Sequence, residues 1–370
     1  MKSIALDLTP LRRSRDYRLL WSSTFISETG RNITLLAVFA QVYKLTGSAA
    51  AVGLVGLIQL VPLVVSTIFG GPMIDRADRR KILLVTQFGL LGSSSLLLVG
   101  AIMGDPPLVL IYVAVAISAL FGGIAGPTRS AMLPNLVQRS ELANAIALNQ
   151  VMWNTTMLIG PAIGGIVIAK SGFSWAYGLD VASYAATIIA AVKMKPMPPK
   201  PDGDPPSLGL RAVAESFRFL RKQKIILSTF GIDLVAMVFG MPRALFPILA
   251  VVQFNAGNEV AGLLLSAPAA GAILGAATSG WVKRVERQGL AVVVSVVVWG
   301  LGIAGFGLVG DRLWLALIML AIAGWADVIS AVFRSTIFQL LLPDSLRGRM
   351  SAVNILVVAG GPRLGDAEAG

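Results

Sequence analysis

Among 370 residues there is no cysteine and no histidine. Without cysteine the chain has no disulfide, no thiol nucleophile and no thiolate metal site. Without histidine it lacks the commonest metal ligand and the one side chain that, unperturbed, titrates near neutral pH. Proton carriage would therefore fall to aspartate or glutamate. No G-x-x-x-x-G-K-S/T phosphate loop occurs, which argues against a nucleotide-driven pump. No catalytic constellation stands out, and no enzyme activity, metal or cofactor is expected. Charge is also scarce. Asp, Glu, Lys and Arg make up 14% of the chain, against about 25% in soluble proteins, too little to clothe a soluble surface of this size.

What is present is apolar: 55% hydrophobic residues and a mean hydropathy of +0.77. Stretches of about 20 apolar residues read as membrane-spanning helices. They fall near 19–42, 51–74, 82–103, 108–127, 146–169, 173–192, 225–252, 259–281, 289–310, 313–333 and 350–370. Tight turns such as Gly104-Asp105-Pro106-Pro107 and Gly310-Asp311-Arg312 make their neighbours antiparallel. The expectation is an all-α, multi-pass membrane protein whose partners are membrane lipid, a small-molecule substrate and protons, working as a monomer.

The net charge of +12 does not point to nucleic acid, because the basic residues are not one patch. Twenty-five of the 31 Lys and Arg fall on one set of alternate segments, three on the other (Lys44, Lys170, Arg312) and three within spans. That asymmetry places the N-terminus in the cytoplasm. No small-residue cleavage site follows the first span, so it is not a removable signal. Residues 193–224 break the pattern with a Pro-rich linker, KMKPMPPKPDGDPPSLGL, running into RAVAESFRFLRKQK. The second piece reads either as an amphipathic helix at the membrane surface or as a solvated linker helix. Residues 1–192 then form a six-helix bundle and residues 225–370 a five-helix, incomplete one.

The two parts echo each other. Arg129-Ser130 recurs as Arg334-Ser335, Asn149 as Asn354 and Glu28 as Asp233, each 205 residues apart. Gly160-Pro161-x-x-Gly164 recurs as Gly361-Pro362-x-x-Gly365, 201 apart. Duplicated halves around a midplane site describe a class of secondary transporter. By that logic the second half lacks a helix, and the sequence is expected to be truncated within its eleventh helix.

The segment after the second span reads Gly71-Pro-Met-Ile-Asp75-Arg76-Ala-Asp78-Arg79-Arg80-Lys81. Gly71 lets the helix end close to a neighbouring backbone. Asp75 is suited to bind helix N-terminal amides or a basic partner, latching the cytoplasmic face. Arg76, Arg79 and Arg80 anchor the loop inside. A generic basic loop explains the arginines but not Gly71 and Asp75 four residues apart. At the equivalent place in the second half, Gly280-Trp-Val-Lys283-Arg284 lacks the aspartate, so one strong latch is expected.

This stretch resembles the G-x-x-x-D-R-x-G-R-R/K signature of the major facilitator superfamily. It departs at Asp78, where many members have glycine, and a carboxylate there is similar to the macrolide-efflux and siderophore-exporter branch. KLTGSAAAVGLVGLIQLVP, GPTRSAMLPNLVQRSELANAIALNQ and GPAIGG resemble the same branch, and the region 243–370 resembles its enterobactin-exporter type. The resemblance implies two six-helix bundles related by a pseudo-two-fold axis, in the bacterial inner membrane. It implies proton-driven export of a catecholate siderophore, with multidrug or macrolide efflux as the alternative. The motif Gly160, Pro161, Gly164, Gly165 in the fifth span is, by resemblance, a feature of drug/proton antiporters. Its local physics is a proline kink and close helix packing.

Charges inside spans are costly and usually functional. The first span holds Glu28 and Arg31, three apart and able to pair. The seventh holds Asp233 and Arg243, and the tenth Asp327. By resemblance the first, fourth, seventh and tenth helices line a central cavity. Glu28, Asp233 and Asp327 are then the proton-coupling candidates, and Arg31 and Arg243 the contacts for an anionic substrate. The last span adds Arg363, Asp366 and Glu368, with Arg363–Asp366 expected as a structural pair. Asp180 reads equally as interfacial or buried. Trp153, Trp299, Trp314 and Trp325 are placed for packing or for stacking on an aromatic cargo.

Overall fold

A computed structural model of the chain describes residues 7–198, 224–240, 242–341 and 360–370. The helices are α1 (Thr9–Arg13), α2 (Arg15–Thr46), α3 (Ala49–Arg76), α4 (Arg79–Ile102), α5 (Leu108–Leu136), α6 (Leu142–Ser171), α7 (Phe173–Lys193), α8 (Lys224–Gly240), α9 (Phe246–Val252), α10 (Asn258–Thr278), α11 (Gln288–Leu308), α12 (Leu313–Leu341) and α13 (360–369). Among the described residues nine segments are long and apolar enough to cross a membrane. They correspond to the second through tenth expected spans. The first is also a helix, α2, of 32 residues, about 48 Å at about 1.5 Å per residue. Its charged and hydroxyl side chains lower its hydropathy, so burial among other helices holds it in place. The linker stretch 199–223, the first ten residues of the eleventh span (350–359) and the Asn354 echo lie outside the described residues.

Local chemistry sets the helix ends. Ser14 Oγ accepts from the Tyr17 amide at the start of α2, and Gly47, at φ 62, ends it in the left-handed region that suits glycine. The Gly104 and Gly310 turns have positive φ, 94 and 62. Two expectations need correction. The fourth and tenth spans, predicted to end at 127 and 333, run on as helix to Leu136 and Leu341, because a helix need not stop where the apolar run stops. The seventh span, predicted as one helix over 225–252, is broken. α8 stops at Gly240, a single 3₁₀ turn covers Arg243–Leu245 and α9 follows. Pro242 and Pro247 each lack the N–H that would continue the ladder. Non-helical backbone at this depth is tolerated where protein covers it.

In the first half α2 packs on α6 and α7, α4 on α5 and α7, and α3 on α5; in the second, α10 and α11 pack on α12. The halves meet mainly along α6 and α10, where α9 also leans on α2. Helix α13 lies between α3, at Gly53 and Gly56, and α8, at Met237.

Burial is unequal at the two ends. Near the turns at 47–48, 103–107, 172 and 309–312, one apolar cluster joins both halves, with Leu36, Val55, Ile111 and Tyr177 sharing it with Phe246, Leu264 and Leu320. At the end bearing the basic connections, the halves keep separate clusters. One contains Tyr17, Leu83, Met132 and Leu148, the other Val292, Ile329 and Phe333.

Candidate transport site

Glu28 sits mid-way along α2 with its side chain 4% exposed. It is held by two arginines. Arg31, one turn on, comes to 2.6 Å of Oε2, and Arg129 of α5 to 2.5 Å of Oε1. The Arg31 guanidinium also lies 5.5 Å from the centre of the Trp153 ring on α6, a cation–π distance. One buried carboxylate thus ties α2 to α5, and one arginine ties it to α6.

The second half repeats the arrangement. Asp233 of α8, its side chain also 4% exposed, pairs with Arg334 of α12 at 2.5 Å. Arg334 reaches a second carboxylate, Asp327, at 3.6 Å, and the Asp327 side chain is 43% exposed. A small cavity opens here, lined by Asp233, Arg243, Trp299, Asp327, Arg334 and Pro362.

Both pairs stand at one offset: Glu28 and Asp233 are 205 apart, and so are Arg129 and Arg334. The sequence reading noted both echoes but counted Arg129 and Arg334 among the basic residues of inside loops. The structure corrects that. Both lie within helices, with side chains 17% and 14% exposed, and each neutralises an acid of the neighbouring helix. The available signal was that an acid and a base recurred together at the same spacing. Removing both from the loop count leaves the charge asymmetry large.

The substrate-contact candidates also have protein partners. Arg31 is bound to Glu28. Arg243, on the 3₁₀ turn between α8 and α9, bonds Asp366 of α13 at 2.8 Å. The expected Arg363–Asp366 pair gives way to this longer-range one, while Arg363 Nε donates to Gln59 Oε1 of α3 at 3.1 Å.

At the basic end the 71–81 segment is a set of helix caps. Asp78 accepts from the Arg80 amide, capping α4, and from the Met197 amide at 3.0 Å. The Arg79 side chain donates to the Ala131 carbonyl near the end of α5. Arg80 donates to the Ala191 and Val192 carbonyls at the end of α7. Helix C-termini carry unpaired carbonyls and partial negative charge. Arg79 and Arg80 thus bind helix backbone as well as adding to the basic loop, and Asp78, the departure from the resembled signature, has a capping role of its own. Gly71 and Arg76 lie on the last turns of α3. The Asp75 side chain with its expected latch, and the Lys283 and Arg284 side chains, lie outside the described residues. Replacing Asp78 with Ala is expected to cost about 0.5–2 kcal/mol through the lost cap, read as a lower midpoint of thermal unfolding.

A family model described as transmembrane secretion effector matches residues 5–370. The chain belongs to that family, a branch of the major facilitator superfamily. Among curated relatives, the enterobactin exporter EntS of Citrobacter koseri is 30% identical over 95% of this chain and 84% of its own length. The proteins of the same name from Salmonella typhi, at 30%, and Escherichia coli O81, at 29%, align over the same shares. Solved structures share the fold at low identity. A bacterial homologue of the iron transporter ferroportin has a TM-score of 0.71 at 14% identity, covering 96% of this chain and 91% of its own. The nucleoside transporter NupG (D323A mutant) has 0.74 at 12%, covering 96% and 90%. In this superfamily member, then, the Glu28 and Asp233 clusters lie one in each half of the chain.

The fifth-span glycines lie on two seams of that fold. Helix α6 runs unbroken through Pro161. Gly160 and Gly164 face α2 at Asn32 and Ile33, inside the first bundle. Gly165 faces the start of α10, where an added Cβ would stand 2.5 Å from the Asn258 carbonyl oxygen. Gly262 of α10 faces back at the Pro161 carbonyl, which an added Cβ would overlap. Trp299 packs on Gly240, Trp325 donates to Thr278, and Trp314 is exposed. Of the four tryptophans singled out, Trp153 beside Arg31 and Trp299 in the cavity stand at the charged centre.

Proposed function

We propose that this transporter exports a small anionic aromatic molecule, a catecholate siderophore of the enterobactin class, from the cytoplasm in exchange for protons. It would sit in the bacterial inner membrane with its N-terminus and basic connections inside. The observation that carries the substrate class is the cavity that Arg243 and Arg334 line beside Trp299, with Arg31 over the Trp153 ring. Guanidinium groups select anions and stack on aromatic faces. The enterobactin exporters aligned over nearly the whole chain support the same class. The shared core at one end and the separate cores at the other fit a carrier that takes cargo from the inside face. Asp233, Arg334 and the exposed Asp327 form the set on which proton exchange is proposed. A proton on either acid releases part of Arg334's hold, so that protonation and helix position are linked.

The test is transport by purified protein in vesicles with an imposed proton gradient, followed as apo-enterobactin moved per unit time. Saturable movement that stops when an ionophore collapses the gradient is the expected result. Movement indifferent to the ionophore removes the proton coupling, and movement of macrolides but not of enterobactin removes the substrate class.

A further inference from the structure

One buried acid plays no part in the site above. Asp180, on α7, is 1% exposed. Glu28, Asp233, Asp366 and Glu141 are also buried, and each of these has an arginine partner. Among the described residues no ion pair includes Asp180. Its partners are hydroxyls: Thr34 of α2 donates to Oδ2 at 2.8 Å and Ser94 of α4 at 2.6 Å. Ser183, one turn on, is 3.4 Å from Oδ1.

Donor counting decides what this arrangement holds. A hydroxyl has one proton to give. Ser183 spends its proton on the Asp180 backbone carbonyl, at 2.6 Å. Its oxygen therefore faces Oδ1 with lone pairs, and Oδ1 has no good donor. Oδ2 is fully served and Oδ1 is not, the pattern of a carboxylic acid whose O–H lies on Oδ1 and points at Ser183. An ionised carboxylate buried with only neutral partners is costly, and such groups settle by holding a proton. The cleft exists because Gly30 has no side chain. A Cβ there would come 2.6 Å from Ser183 Oγ and 2.7 Å from Asp180 Oδ1.

The charged and titratable surroundings are sparse. From α2 the nearest charge is Arg31, bound to Glu28. On α7 itself stand Tyr177, whose hydroxyl donates to Gln41, and Tyr184. Helix α4 has no charged residue beyond Lys81, nor α6 before Lys170. The polar groups line up along the α2–α7 contact: Thr187 to the Ser23 carbonyl, Thr34 to Asp180, Tyr177 to Gln41.

We infer that Asp180 is a second proton-binding site, lodged between α2, α4 and α7 and separate from the Asp233–Arg334–Asp327 set. Loading puts a proton on Oδ1 with Ser183 Oγ as acceptor; unloading returns it along the polar α2–α7 contact. The inference deepens the proton-coupled reading and rests on it for its use in the cycle, but proton binding is measurable without transport. The experiment is infrared difference spectroscopy of purified protein in lipid, stepped in pH across the neutral range, on wild type, Asp180→Asn and Asp180→Glu. The expected result is a protonated-carboxyl band that titrates in wild type, is lost in D180N and returns at a shifted frequency in D180E. A band that survives in D180N, no titrating band in wild type, or a band responding to sodium instead of pH overturns the inference. Monodispersity of both variants checks folding, and D180E keeps the test open if D180N does not fold. The vesicle assay separates the two ideas. Proton-driven transport with no Asp180 band sinks the inference alone, and an Asp180 band without proton-driven transport sinks the coupling alone. A structural role would lower the transport rate of D180E at every pH, whereas a proton site shifts its pH profile.

Discussion

Arg334→Gln abolishes transport and lowers stability by about 3–5 kcal/mol, because removing one member of a buried pair strands the other charge. The corresponding change in the first half, Arg129→Gln, costs less. Glu28 keeps Arg31 as a second partner at 2.6 Å. Asp233 has Arg334 alone among the described cations, and the loss of that arginine also leaves Asp233 facing Asp327 with nothing between them. The asymmetry is the informative part, since the two positions correspond under the internal repeat. Adding Asp233→Asn to Arg334→Gln restores most of the lost stability, because the unpaired charge that then remains, on Asp327, is 43% exposed rather than buried, but it does not restore transport. Thermal unfolding of the four proteins, set beside their vesicle transport rates, measures both statements. Equal losses from Arg129→Gln and Arg334→Gln contradict the account.

Gly262→Val leaves a protein that inserts but scarcely transports. The site is the seam between bundles, where an added Cβ overlaps the Pro161 carbonyl and stands 3.2 Å from the Gly165 Cα. Backbone atoms on both sides leave no flexible side chain to yield. Overpacking of this kind costs about 1–3 kcal/mol, and the larger effect falls on motion, because the seam must rock while staying in contact. Gly289→Val is the control, since nothing lies within 4 Å of its added Cβ. If both variants transport at the wild-type rate, the α6–α10 seam is not a moving contact.

Hydropathy alone located the membrane helices, because the bilayer imposes one length and one polarity on all of them. What it misjudged follows from the same physics. It ended α5 and α12 where the apolar residues ended, which put Arg129 and Arg334 outside the bundle they hold together. It read 225–252 as one helix, because the apolar run continues through Pro242 and Pro247 although the backbone ladder does not. The Glu28–Arg31 contact was legible, being one helical turn. Arg243–Asp366, separated by 123 residues, was not, since no local pattern reports which helices become neighbours. Asp180 was ambiguous for a related reason. Its three hydroxyl partners come from α2, α4 and α7, and serines and threonines in spans carry no sign of where they point.

The single apolar cluster uniting the bundles at one end has a cost for the working cycle. For cargo to leave by that end, Leu36, Val55 and Ile111 must part from Phe246, Leu264 and Leu320, and wetted apolar area opposes this by about 25 cal/mol per Å². The natural compensation is fusion of the two small clusters at the opposite end, bringing the side of Met132 against the side of Phe333. Substitutions that make those two small patches more polar would then trap the carrier in the form closed at the shared cluster, without touching either buried ion pair.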